Sequence, residues 1–269
     1  MKKIIWGIIL LFLSQNIVYS QNNLSANSAE CLNDKITRIT GKNECLAIHT
    51  FVKNSETKIK NLVIFIHGDQ SDNGPVSGMI INAQGTPVPD GTVKVAILRP
   101  GYFDKVGNKS TGNDCGRRDC YTVTNLDEMT AAVQSLKNHY KPTKTILIGH
   151  SGGAATSGVM IGRTPGIAEG AILLACPCSI SQWRFMQGRS GSYNSLSPSD
   201  FIKNIPKTTK VFAITGASDT NTQDVLARDY VKSLTDLNIY AQYKSLPNVD
   251  HNKANEIYVI QEALNELLK

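Results

Sequence analysis

The chain has 269 residues, of which 41% are hydrophobic and 19% charged, with a formal net charge of +6. So much apolar content excludes a disordered or fibrous protein. The positive balance is mild and scattered, so nucleic acid and membrane surfaces are not expected partners.

At the start, Met1-Lys2-Lys3 forms a short positive head and IIWGIILLFL (4–13) an apolar run of ten. Val18-Tyr19-Ser20 then offers small residues where a signal peptidase cuts, so residues 1–20 read as a cleaved signal peptide. Ten apolar residues fall short of the roughly 20 that span a bilayer, which disfavours an uncleaved anchor. Export places the mature chain in a secreted or periplasmic compartment, soluble and with no membrane contact once the signal is removed. About 250 residues remain, enough for one large domain with a sizeable core.

QNNLSANSAE (21–30) is polar and reads as a flexible lead-in to a domain over 31–269. Residues 47–52 alternate as a strand, and NLVIFIHG (61–68) is a continuously apolar one. VKVAILRPGY (93–102) is the next strand, followed by a helix with Leu126, Met129, Val133 and Leu136 on one face. TKTILI (143–148) is a strand, GHSGG (149–153) a turn and AATSGVMIG a helix. The strand AILLAC (171–176) precedes a polar stretch over 179–200, long enough for a small cap only. A short amphipathic segment, the strand KVFAIT (210–215), a helix near 222–237, the strand IYAQYKSL (239–246) and a last helix complete the chain. Apolar strands alternating with amphipathic helices predict a single α/β domain, its mostly parallel central sheet covered by helices on both faces.

Six cysteines fit an oxidising compartment, and fifteen pairings are open to them. The local set is Cys31 with Cys45, Cys115 with Cys120, and Cys176 with Cys178, the last being the least favoured because its ring is small. The spacings are not those of a metal site, so no metal is expected.

GHSGG matches G-x-S-x-G in the context that pattern needs, a buried strand before it and a helix after it. The turn is so tight that Gly149 and Gly153 must be small; Ser151 is left exposed at its tip, with the Gly152 N–H at the helix start. A serine hydroxyl becomes a nucleophile only when a base takes its proton and a third group orients the base. Of five histidines, His49 and His139 read as packing or surface residues, His67 as a loop holder, and His150 as projecting into the elbow. His251, in the loop between the last strand and the last helix, can reach Ser151 from the far side. Asp219, four residues past the strand KVFAIT, is the expected acid. Asp224 reads as a helix first-turn charge, and Asp250 as diverging from its neighbour. Oxyanion donors are expected from the N–H groups of Gly152 and Asp69, the Asp69 side chain being open to a loop-shaping role.

FIHGD (65–69), LRPGY (98–102), GHSGG, LSPSDFIKNIP (196–206), TGASD (215–219) and DHN (250–252) occur in an order that resembles the α/β-hydrolase superfamily. Within it, the chain is similar to the dienelactone hydrolase and prolyl-oligopeptidase-like branch. The resemblance implies hydrolysis of a carboxylic ester, amide or related acyl bond in a small-molecule or peptide substrate, without cofactor. An esterase, a peptidase or amidase, and a non-catalytic binding protein on the same fold all stay open. GNDCGRRDC (112–120) is no part of that pattern; its Arg117 and Arg118 are read either as holding an anionic group at the site's mouth or as exposed and solvated.

Overall fold

The computed structural model describes residues 31–53 and 58–269; the signal peptide and lead-in read over 1–30 lie outside the described residues. Eight strands form one sheet: β1 (Arg38–Thr40), β2 (Cys45–Val52), β3 (Asn61–Ile66), β4 (Thr92–Ile97), β5 (Lys144–His150), β6 (Gly170–Leu174), β7 (Lys210–Gly216) and β8 (Ala241–Leu246). Their spatial order is β1-β2-β4-β3-β5-β6-β7-β8. Strands β4, β3, β5, β6, β7 and β8 run parallel, and only β1 and β2 run antiparallel to their neighbours.

Among the described residues, six α-helices accompany the strands: α1 (Gly78–Gly85), α2 (Val123–Tyr140), α3 (Gly152–Arg163), α4 (Ile180–Met186), α5 (Asp224–Asp236) and α6 (Ile257–Leu268). The alternation of side chains along each strand explains two cores rather than one. Leu62, Ile64 and Ile66 of β3 join α2, α3 and α5 residues such as Leu136, Val159 and Leu234 on one face. Val63 and Phe65 join Met79 and Ala83 of α1 and Ile260, Leu264 and Leu267 of α6 on the other. All six β3 side chains are buried, which is why the run 62–66 is continuously apolar. The edge strand β8 alternates between partial and full exposure and carries Gln242 and Lys244.

Three elements depart from the expected set: β1, α1 and α4. Helix α4 occupies part of the polar stretch 179–200, and a 3-10 turn over Pro198–Asn204 takes the place of the amphipathic segment. The three local disulfides Cys31–Cys45, Cys115–Cys120 and Cys176–Cys178 are all present, the least favoured third included, with Cα separations of 5.4, 5.5 and 5.1 Å.

Topology places the site. After β3 the chain adds β4 on one side and then crosses to lay β5 on the other, so the order reverses at β3. In open parallel sheets the crevice at such a reversal, outside the carboxyl ends, is where ligands bind. Register aligns those ends, with Ile66 of β3 opposite Gly149 of β5 and His150 opposite Leu174 of β6.

Candidate active site

Strand β5 ends at His150 and α3 begins at Gly152, leaving Ser151 alone to make the turn at φ 54° and ψ −118°. A non-glycine residue at such an angle is strained by roughly 1–3 kcal/mol, and only a rigid surround keeps it there. That surround is visible in the glycines. A Cβ on Gly149 would lie 2.2 Å from Gly153 O, and one on Gly153 would lie 2.0 Å from Ile66 O. The start of α3 thus packs directly on the end of β3, as the spacing of GHSGG requires. The turn is further held by the Ser151 N–H, which donates to Leu174 O at 2.8 Å.

His251 reaches this serine from the β8–α6 loop, as expected. Its Nε2 lies 3.0 Å from Ser151 Oγ, and its Nδ1 lies 2.8 Å from Asp219 Oδ2. Asp219 hangs on the loop after β7 and its side chain is fully buried. An ionised carboxylate only accepts, so Nδ1 carries the proton and Nε2 presents a lone pair to the serine hydroxyl. Burial alone would push the Asp219 carboxyl upward. The His251 hydrogen bond and charge, together with donors from Thr222, outweigh it and hold that carboxyl below its usual range. Thr222 was not anticipated: its N–H donates to Asp219 Oδ1 at 2.8 Å and its hydroxyl to Oδ2 at 2.7 Å.

The remaining histidines and acids fall where expected. His150 turns away from the serine, with Nε2 donating to His251 O at 2.8 Å. Burial and the nearby His251 charge lower its pKa to about 4. His67 holds a loop, its Nδ1 donating to Gly68 O at 2.7 Å and its Nε2 accepting from Arg99 N at 2.9 Å. Asp250 caps the following turn through the N–H groups of Asn252 and Lys253, and Asp224 accepts from Tyr243 at 2.9 Å in the first turn of α5. His139 is exposed in the last turn of α2, whereas His49 pairs with Asp104 at 2.7 Å.

No protein-family model matches the sequence, and no curated protein matches it. Solved structures do. Est1E from Butyrivibrio proteoclasticus, with ferulic acid bound, superposes with a TM-score of 0.64 at 15% identity, over 85% of this chain and 96% of that one. The esterase Pf2001 of Pyrococcus furiosus gives 0.64 at 14% identity, over 86% and 91%. Pyrococcus horikoshii acylaminoacyl peptidase gives 0.65 at 12% identity, and this chain, matched over 86%, spans 41% of that longer one. This is an α/β-hydrolase fold.

In this α/β-hydrolase fold the loop after β3 faces the elbow, and here it carries Gly68 and Asp69. The N–H groups of Asp69 and Gly152 have no acceptor among the described residues. The Asp69 side chain takes the loop-shaping role left open for it: Oδ1 accepts from Arg99 Nη1 at 2.7 Å and Tyr102 at 3.3 Å, and Oδ2 from Tyr121 at 2.8 Å. Gly68 admits no side chain, because a Cβ there would meet Ser151 Cβ at 2.9 Å and His150 O at 3.1 Å. Gly68→Ala should displace the serine from His251; a misplacement approaching 1 Å costs about 100-fold in rate. Steady-state kinetics beside a thermal melt will separate that loss from unfolding, since the same change at Gly107, which has open space around it but a φ of +88°, should lower the melting midpoint without slowing the reaction.

A cleft of about 1150 Å³ opens over these residues, and Arg118, Trp183, Arg184 and Arg189 are also in its lining. Helix α4 brings Trp183 and Arg184, which the sequence reading missed; Arg184 pairs with Asp119, and Trp183 donates to Asn221 O at 3.1 Å. Arg117 also lines the cleft, as the reading at the mouth of the site expected, but the exposed, solvated alternative does not hold for it. It is only 4% exposed, pairs with Asp114 at 3.1 Å and lies over the rings of Tyr102 and Phe103, so it is held in place by packing. Arg118 is exposed at the cleft.

Proposed function

We propose that this protein is a serine hydrolase that cleaves a carboxylic ester or related acyl bond through an acyl-enzyme. The observation that carries this reading is the relay Ser151 Oγ–His251 Nε2–Asp219, at 3.0 and 2.8 Å. Ser151 Oγ attacks the acyl carbonyl as its proton passes to His251 Nε2. Asp219 orients the ring and stabilises the imidazolium that forms. Negative charge on the carbonyl oxygen is met by the N–H groups of Gly152 and Asp69. His251 then returns the proton to the leaving oxygen or nitrogen, and the C–X bond breaks. Water, deprotonated by the same nitrogen, attacks the ester to Ser151, and the acid leaves as Ser151 regains its proton.

The cleft exceeds the roughly 300–1,000 Å³ typical of small-ligand pockets, and a peptidase is among the structural neighbours. Both support keeping an amide substrate as the second reading. Three disulfides support an oxidising compartment, secreted or periplasmic.

A fluorophosphonate probe should label the native protein at Ser151, located by tryptic mass spectrometry. A panel of p-nitrophenyl esters set against aminoacyl and peptide amides then decides between the two readings. A folded protein that neither labels nor turns over any ester or amide defeats both.

A further inference from the structure

The loop that faces Ser151 is held partly from outside. Within it, His67 Nδ1 donates to Gly68 O, while His67 and Asp69 are both tied to Arg99, which follows β4. Arg99 N donates to His67 Nε2 at 2.9 Å, and Arg99 Nη1 reaches both His67 O at 3.4 Å and Asp69 Oδ1 at 2.7 Å. One residue therefore grips both sides of Gly68, the glycine that abuts Ser151.

The guanidinium is 3% exposed and sits over two rings, 5.1 Å from the Tyr102 centroid and 5.4 Å from that of Tyr121. Both phenols also donate to the Asp69 carboxylate, so its two oxygens meet three donors. A buried, fully partnered ion pair of this kind contributes little net stability but specifies one geometry when every member is satisfied. The cluster also touches the second oxyanion donor. A Cβ on Gly152 would lie 2.6 Å from Asp69 Oδ1, 2.8 Å from Arg99 Nη1 and 2.8 Å from Tyr121 OH. Nothing in the proton relay uses these groups, yet they adjoin Asp69 and Gly152, whose N–H groups have no acceptor among the described residues.

We infer that Arg99 is a positioning residue for the oxyanion hole: through the Asp69 carboxylate, braced by Tyr121, it fixes the peptide carrying the Asp69 N–H beside that of Gly152. The inference rests on the serine-hydrolase reading. Burial works against the charge on Arg99, but Tyr102, Asp69 and Tyr121 more than restore it, so the clamp stays ionised throughout the working pH range. Asp69 does no proton transfer here. Its carboxylate is the handle by which its own backbone is held.

The test uses the full-length mature protein and three variants: Arg99→Met, which removes the cation; Arg99→Lys, which restores a charge without the fork; and Tyr121→Phe, which removes one donor and keeps the ring. The readouts are kcat and KM on p-nitrophenyl acetate, and inhibition by a trifluoromethyl ketone, whose adduct with serine carries an oxyanion. The matching methyl ketone, which forms no stable adduct, serves as control, and a thermal melt shows that each variant is folded. Losing one oxyanion donor costs about 100- to 1,000-fold in kcat elsewhere, so Arg99→Met should lose about 100-fold with KM within threefold. Trifluoromethyl ketone affinity should fall in parallel while the methyl ketone binds as before. Arg99→Lys should recover part of the loss, and Tyr121→Phe should lose about tenfold.

If folded Tyr121→Phe and Arg99→Lys keep wild-type kcat and ketone affinity, Arg99 has only a packing role and the inference is overturned. The same follows if the losses appear in KM alone. Should Arg99→Met fail to fold, those two variants decide. A wild type inert toward esters and toward the ketone would instead overturn the hydrolase reading, and the positioning role with it.

Discussion

Ser151→Ala should lower kcat on any ester the protein cleaves by roughly 10⁴- to 10⁶-fold and abolish fluorophosphonate labelling, with KM little changed. The size follows from what is removed. Ser151 Oγ is the atom that His251 Nε2 faces at 3.0 Å, and no other hydroxyl is bonded to that nitrogen among the described residues. Residual turnover would come only from water held by His251 and the two N–H donors. Asp219→Asn should cost roughly 10³- to 10⁴-fold, because an amide leaves the His251 tautomer unspecified while keeping the shape of the loop. Backbone strain supplies a second readout. Alanine keeps the penalty of φ 54°, but Ser151→Gly relieves it, so Ser151→Gly should be inactive yet more stable by about 1 kcal/mol. At this chain length that is a rise of about 2–4 °C in the melting midpoint. Retained hydrolysis in Ser151→Ala, or a glycine variant less stable than the alanine one, would contradict this account of the elbow.

Much of this was readable in the amino acids because the chemistry sits where local patterns change. Strand β3 shows itself as an uninterrupted apolar run since both its faces are covered, and the elbow shows itself because only glycine fits on either side of Ser151. Asp219 and His251 follow from the rule that strand-end loops converge at one edge of a parallel sheet. What stayed hidden is held by long-range contacts. Strand β1 is three residues long and forms against β2 alone. Helix α1 reads GMIINAQG, with no apolar stripe, and rests on β3, β4 and α6, where its Gly85 would carry a Cβ 2.8 Å from Ile257. Helix α4 exposes Phe185 at 85% while burying Trp183, the reverse of what a lone amphipathic turn suggests. The same reason hid the Arg99 cluster, in which Arg99, Tyr102 and Tyr121 stand 30, 33 and 52 residues from Asp69. No spacing rule joins such positions; only the fold does.

Acid should begin to destabilise this protein above the pH at which its carboxylates titrate, because two histidines are buried neutral beneath the site. His67 uses both ring nitrogens, one donating and one accepting, so a second proton would confront the Arg99 N–H. Burial first, then the Arg99 charge, lowers its pKa to about 3. For His150 burial and the His251 charge lower it to about 4. In the unfolded chain both return to an ordinary value of about 6.5. Above that pH neither state is protonated and the contribution is fully present. As the pH falls below it, the unfolded chain takes up protons that the folded one refuses, so stability drops by about 1.4 kcal/mol per pH unit for each histidine. The fall continues to about pH 4 for His150 and about pH 3 for His67, roughly 3 and 5 kcal/mol in all. Asp219, whose carboxyl is held low, begins to lose its own contribution only below about pH 4, in the same direction. Against a typical total of about 5–15 kcal/mol, these losses are enough to unfold the domain near pH 4. Urea titrations at pH 7, 6, 5 and 4 should show the unfolding free energy falling by about 2–3 kcal/mol per unit between pH 6 and 4. His67→Asn should be less stable at pH 7 yet show a slope shallower by about 1.4 kcal/mol per unit, since it removes one of the two protonation sites. A flat wild-type profile across that interval would mean that these rings are protonated inside the folded protein, and the His67–Arg99 hydrogen bond could then not exist as drawn.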